Sequence, residues 1–136
     1  MSLADWTGWI AAAAMGTAAV VPLAQRVLHK RRAELGSGSV QLHVAVGMTA
    51  AGAGFFHPLT ALFSLGSPEA IGGGVLGLAL GGVAFVVLLA HTGLGLKLRD
   101  PKLRGRPRSR RTHLITAITI ITCVGAHAAA CLLGAE

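Results

Sequence analysis

Six histidines occur in this 136-residue chain, and four of them are spaced as two matching pairs. His43 and His57 lie 14 residues apart in SVQLHVAVGMTAAGAGFFHPLTALFS, a stretch without Asp, Glu, Lys or Arg; His113 and His127 lie 14 apart in RTHLITAITIITCVGAHAAACLLG. On an α-helix, 14 residues rise about 21 Å and make just under four turns. With the slight underwinding of a left-handed bundle they become four full turns, so both rings of each pair share one seam. Ionisable groups inside an apolar helix are costly and are functional candidates by default. Imidazoles facing each other at two levels, one ring from each helix, suit a metal taken from both sides. A haem iron held by two axial imidazoles has no open coordination position, and its chemistry is then electron transfer.

The elements that must position these rings are membrane helices. The chain is 53% hydrophobic and 12% charged, with mean hydropathy +0.66, which is too apolar for an ordinary soluble domain. Apolar runs at roughly 8–28, 39–65, 70–96 and 112–134 each approach the ~20 residues a bilayer core requires. The fold expected is all-α: an integral membrane four-helix bundle, up-down-up-down, forming a single transmembrane domain over 1–136. All 12 Lys and Arg lie in two segments, Arg26–Arg32 and Lys97–Arg111. The positive-inside rule therefore puts both basic segments in the cytoplasm and both termini on the non-cytoplasmic side of the cell membrane, with Trp6 and Trp9 in the outer interfacial belt. Asp5 and the lack of Lys or Arg before the first span argue against a cleavable signal peptide.

Spans two and four run in the same direction, so His43 is expected level with His113, near the inner surface, and His57 level with His127, near the outer one. The seam His43, Gly47, Ala50, Gly54, His57 carries nothing larger than a methyl group between its histidines, which leaves room for a flat macrocycle or for close helix packing. The equivalent seam is His113, Ala117, Ile120, Val124, His127. Two haem b groups would then be bound, the inner iron by His43 and His113 and the outer by His57 and His127. Each ligand's second ring nitrogen needs an acceptor; spacing suggests Ser39, Thr60, Thr116 and the carbonyl near Cys123 for His43, His57, His113 and His127. Arg26, Lys30 and Arg111 are placed to neutralise inner propionates, whereas Ser64 and Ser67 are the candidates at the outer end. His91, at about the depth of His43, is a candidate propionate partner, spare ligand or proton-path residue, and equally a packing histidine.

The remaining motifs carry less. His29, beside Lys30, reads as an interfacial side chain reaching for water. Cys123 and Cys131 are eight apart, without CxxC or CxxCH spacing, and read as small packing residues. Pro22 and Pro58 are expected to bend their helices, and Gly77-xxx-Gly81 is a small-residue contact motif. The LRDPKLRGRPRSRR segment reads as irregular topogenic charge. Its basic residues flank membrane spans without interleaved aromatics, so no nucleic-acid role is expected.

Paired His-x13-His motifs on two helices of a four-helix bundle, His43/His57 and His113/His127, resemble the haem-binding core of dihaem membrane cytochromes b, most closely the ferric-reductase-like transmembrane core, with cytochrome b561 as a relative in design. The resemblance implies a b-type cytochrome passing electrons across the membrane. It leaves open a quinol-, metal- or superoxide-linked oxidoreductase activity, with membrane lipid, a quinone or a redox protein as partners. Two alternatives come from other classes: a histidine-lined transition-metal or proton transporter, and a haem-bearing membrane anchor subunit of a redox complex.

Overall fold

The computed structural model describes residues 2–30, 33–63 and 73–134. It is all-helical: α1 spans Leu3–His29, α2 Gly38–Leu62, α3 Gly74–Lys97 and α4 Arg106–Leu133, each long and apolar enough to cross a membrane. Residues 64–65 and 70–72 of the second and third expected spans lie outside the described residues.

Local chemistry sets the ends. Ser2 and Asp5 form a reciprocal capping box, Asp5 N–H donating to Ser2 Oγ (3.1 Å) and Ser2 N–H to Asp5 Oδ2 (2.6 Å). Lys30 closes α1 with φ +51°. The basic segment is less irregular than its composition suggests, because α4 begins inside it, at Arg106. Gly105, at φ +72°, turns the chain, and Pro107 occupies the first turn, where its missing N–H costs nothing. Arg106 reaches back to donate to the carbonyls of Leu98 (2.9 Å) and Asp100, satisfying groups left free as α3 ends. Neither proline breaks its helix: α1 continues through Pro22 and α2 through Pro58.

Packing is inside-out relative to a soluble protein. The buried side chains are Ala11, Ala18, Ala50, Ala84, Leu88 and Ile120, while large apolar residues such as Val20, Leu23, Phe56, Val86, Ile118 and Ile121 point outwards. Small residues let the backbones approach, and the bulky ones suit lipid. The bundle is two tight hairpins, α1 on α2 and α3 on α4, which touch each other only sparsely.

A seven-residue layering runs through all four helices. Ala11, Ala50, Ala84 and Ile120, all buried, form the central layer. Seven residues to either side of it lie Ala4 and Ala18 on α1, His43 and His57 on α2, Gly77 and His91 on α3, and His113 and His127 on α4. Such a repeat keeps the same residues on the bundle axis over four turns. The bulk that separates the two histidine levels comes from Ile120 and Leu88. Leu88 lies so close to Gly54 that a Cβ there would meet its Cδ2 at 2.6 Å. Gly54 is therefore a packing glycine, whereas Gly47, near His43, has open space beside it.

Candidate functional site

The four histidines of the two repeated pairs face one another across the gap between the hairpins. His43 and His113 have ring centres 6.1 Å apart with planes at 87°, and His57 and His127 have the same 6.1 Å separation with planes at 68°. Two imidazole–metal bonds of about 2 Å, plus about 1 Å from each ring centre to its nitrogen, call for nearly this spacing. Among the described residues no three His, Cys, Asp or Glu side chains converge as a cage for a metal ion.

Backbone carbonyls of neighbouring helices orient three of the rings. His43 Nδ1–H donates to Ala18 O (2.8 Å), His57 Nδ1–H to Ala4 O (3.0 Å) and His127 Nδ1–H to Gly77 O (2.8 Å). That tautomer leaves Nε2 as the lone-pair nitrogen for a metal. Pro22 has a part in this. Its missing N–H removes the helix bond that Ala18 O would accept from four residues on, and the freed carbonyl takes the His43 proton instead. At the other end Thr7 Oγ1 lies 3.4 Å from His57 Nδ1 and 3.0 Å from Thr60 Oγ1.

The acceptors suggested by spacing are therefore corrected. Ser39 donates to Gln25 Oε1 (2.8 Å), Thr60 donates to the His57 carbonyl (2.8 Å), and His127 uses α3 rather than its own helix. Thr116 serves His91, whose Nδ1 lies 2.8 Å from its Oγ1. The reason is common to His43, His57 and His127: a histidine on a bundle seam points at the neighbouring helix, so the nearest acceptor lies across the interface and not one turn along.

Glycines make space for the rings. A Cβ at Gly8 would stand 3.0 Å from His57 Cε1, at Gly81 3.2 Å from His127 Cε1, and at Gly95 3.3 Å from His113 Cε1. Gly81 and Gly95 are themselves 14 apart, and so are Ala4 and Ala18, and Gly8 and Pro22. α1 and α3 thus carry the same repeat as the histidine helices α2 and α4, in reverse order of contact. Gly77, for its part, packs towards α4, where a Cβ would meet Ala130 Cβ at 3.6 Å.

His113 is the exception. Its buried Nδ1 has no hydrogen-bond partner among the described residues, and its ring instead stacks on His91, with centres 3.8 Å apart and planes at 12°. His91 occupies the register position that Gly77 holds beside His127. Thr116 Oγ1 gives its own proton to the carbonyls of Thr112 (3.1 Å) and His113 (3.0 Å), so it accepts from His91.

Charge gathers at one end, called here the basic end. Arg26 of α1 and Arg110 and Arg111 of α4 line a cleft of about 350 Å³ with Pro107 and Leu114. Lys30 closes α1 and does not line it, and His29 is exposed. A second cleft of about 410 Å³ runs between the start of α2, at Val40, Gln41 and Val44, and Arg99. Ser64 and Ser67 lie outside the described residues. Cys131 Sγ lies 3.9 Å from His127 Nδ1 and 4.0 Å from Nε2, and both cysteines are free.

The carbonyl acceptors of Ala4, Ala18 and Gly77, the glycines at 8, 81 and 95, and Arg110 do not announce themselves in sequence. The signal available was a 14-residue recurrence of small residues on α1 and α3 in step with the histidines. Comparison with protein-family models, curated proteins and solved structures finds no match to this chain.

Proposed function

We propose that the protein is a small integral membrane cytochrome of the b type, with one haem between His43 and His113 and a second between His57 and His127, relaying electrons between the two membrane faces. The observation that carries this reading is the duplicated geometry. Two imidazole pairs, each with ring centres 6.1 Å apart, bridge separate hairpins at levels about 21 Å apart along the helices. Three of the four rings present an oriented Nε2. A bis-imidazole haem supplies one-electron redox chemistry without an open iron position. The chain's part is to hold the rings by backbone carbonyls, to keep Gly8, Gly81 and Gly95 small beside them, and to offer Arg26, Arg110 and Arg111 to propionates at the basic end.

In this reading the bundle crosses up-down-up-down, with the basic segments cytoplasmic and both termini outside. The donor and acceptor are a quinol, a metal or oxygen species, or a redox protein.

A reduced-minus-oxidised spectrum with haem quantification on the purified protein tests it. Two low-spin b haems per chain are expected. A colourless protein that binds zinc or moves protons would instead establish the transporter reading, and co-purification with a stoichiometric partner would mark an anchor subunit.

A further inference from the structure

We infer that the chain polarises its two histidine pairs, so that an iron held by His43 and His113 is the easier of the two to reduce and an electron arriving at the His57/His127 end moves towards the basic end. The inference rests on the dihaem reading above and adds a direction to it.

Two independent features of the chain point the same way. The first is charge. All 12 Lys and Arg lie in the sequence segments Arg26–Arg32 and Lys97–Arg111, and three guanidinium groups converge on one cleft at the basic end, Arg110 and Arg111 standing three and two residues before His113. Beside the other pair, among the described residues, stands the carboxylate of Asp5, next in sequence to Ala4, whose carbonyl holds His57. An iron loses one positive charge on reduction, so neighbouring cations favour its reduced form and a carboxylate favours its oxidised form. In an apolar bundle these fields reach further than in water. The arginines also neutralise propionates, whose negative charge would otherwise favour the oxidised iron.

The second feature is hydrogen bonding behind the ligands. An imidazole whose Nδ1–H is given to an acceptor is a more basic ligand and stabilises the higher oxidation state. Both rings of the His57/His127 pair have such an acceptor, at 3.0 and 2.8 Å. At the basic end His43 has one, at 2.8 Å, and His113 has none among the described residues; it is held by stacking on His91 instead. The basic end therefore combines less basic ligation with more surrounding positive charge. In the half-reduced protein one electron leaves the iron of the His57/His127 pair, taking it from ferrous to ferric, and takes the iron of the His43/His113 pair from ferric to ferrous. No proton or group moves with it.

Potentiometric titration of the purified full-length protein, followed by haem absorbance, decides the matter. Two one-electron waves are expected, separated by at least a tenfold equilibrium constant, about 59 mV. His57→Ala should retain the higher wave and His43→Ala the lower. Replacing Arg26, Arg110 and Arg111 together by Gln, which leaves all four histidines in place, should lower the upper wave at least tenfold in reduction equilibrium and leave the lower one unmoved. Reversed assignment in the histidine variants, or an upper wave unmoved in the arginine variant with both haems bound, overturns the inference and leaves the dihaem reading intact. A wild-type protein with two haems per chain that titrate as one wave overturns the inference alone, whereas fewer than two haems per chain by quantification overturns the dihaem reading itself.

Discussion

At the His57/His127 end, each ring is framed by a carbonyl and a glycine of the adjacent outer helix: Ala4 and Gly8 for His57, Gly77 and Gly81 for His127. At the basic end the corresponding positions hold Ala18 and Pro22 for His43, and His91 and Gly95 for His113. Both ends share one scaffold, since the 6.1 Å separation recurs. They differ in two substituents, a proline where the other end has glycine and an imidazole where it has a hydrogen atom. The seven-residue layering places the rings, and α1 and α3 then decide how each ring is held.

The largest effect should come from removing one ring. His57→Ala is expected to halve the haem content, from two per chain to one, by emptying its own level, and His43→Ala to do the same at the basic end. The central layer of Ala11, Ala50, Ala84 and Ile120 keeps the levels structurally separate. Haem quantification with spectra of both variants checks this. If either variant kept both haems with unchanged spectra, the ring pairing would be wrong.

Next in size is His91→Gly, which makes the basic end resemble the other at that position. His113 would lose the ring stacked on it. Loss of a partner that orients a metal ligand costs roughly 10–100-fold in affinity. Haem transfer to an apo-globin acceptor should therefore accelerate by at least tenfold from the basic-end level only. His91→Phe should restore most of the retention, because it keeps the stacking face and gives up only the bond to Thr116. Equal haem loss in the Gly and Phe variants would show that stacking is not what holds His113.

How much of this was legible in the sequence depends on how rare a residue is. Four histidines in apolar stretches stand out, and a spacing of 14 repeated on two runs points to one seam. The four helices follow from apolar runs long enough for a bilayer. The matching positions on α1 and α3 were hidden because their residues are Ala and Gly, and a 14-residue recurrence among such common types has no contrast until the histidines supply the register. Backbone carbonyls carry no sequence label at all, so assigning acceptors by side-chain spacing chose Ser39 and Thr60 where Ala18 and Ala4 do the work. Composition also misread the basic segment: Arg and Pro suggested a loop, but Pro107 sits in the one helical turn that accepts it, and α4 starts there.

A smaller effect separates two neighbouring glycines on α3. A methyl group at Gly82 meets nothing within 4 Å, whereas one at Gly81 would stand 3.2 Å from His127 Cε1 and Nδ1. Gly82→Ala should stabilise the helix by about 0.5–1 kcal/mol. Gly81→Ala should offset that gain by pushing the ring, and should shift the spectrum of the His57/His127 haem alone. Thermal unfolding in detergent with parallel spectra measures both. Identical behaviour of the two variants would remove the glycine from the description of the site.

The smallest change tests the proline that distinguishes His43 from His57. Pro22→Ala restores an N–H able to donate to Ala18 O, the carbonyl that now accepts from His43 Nδ1 at 2.8 Å. A carbonyl has two lone pairs, so the histidine bond should weaken rather than vanish. A weaker Nδ1–H bond makes His43 a less basic ligand, which favours the reduced iron. The upper titration wave is expected to rise by roughly threefold in equilibrium constant, about 30 mV on the one-electron scale, with the lower wave fixed. The helix itself gains, because an interior proline is about 3 kcal/mol less favourable than alanine, so a higher unfolding temperature should accompany the shift. A rise in unfolding temperature with no movement of the upper wave would mean that Pro22 bends α1 without tuning His43, and the difference in how the rings are held would then rest on His91.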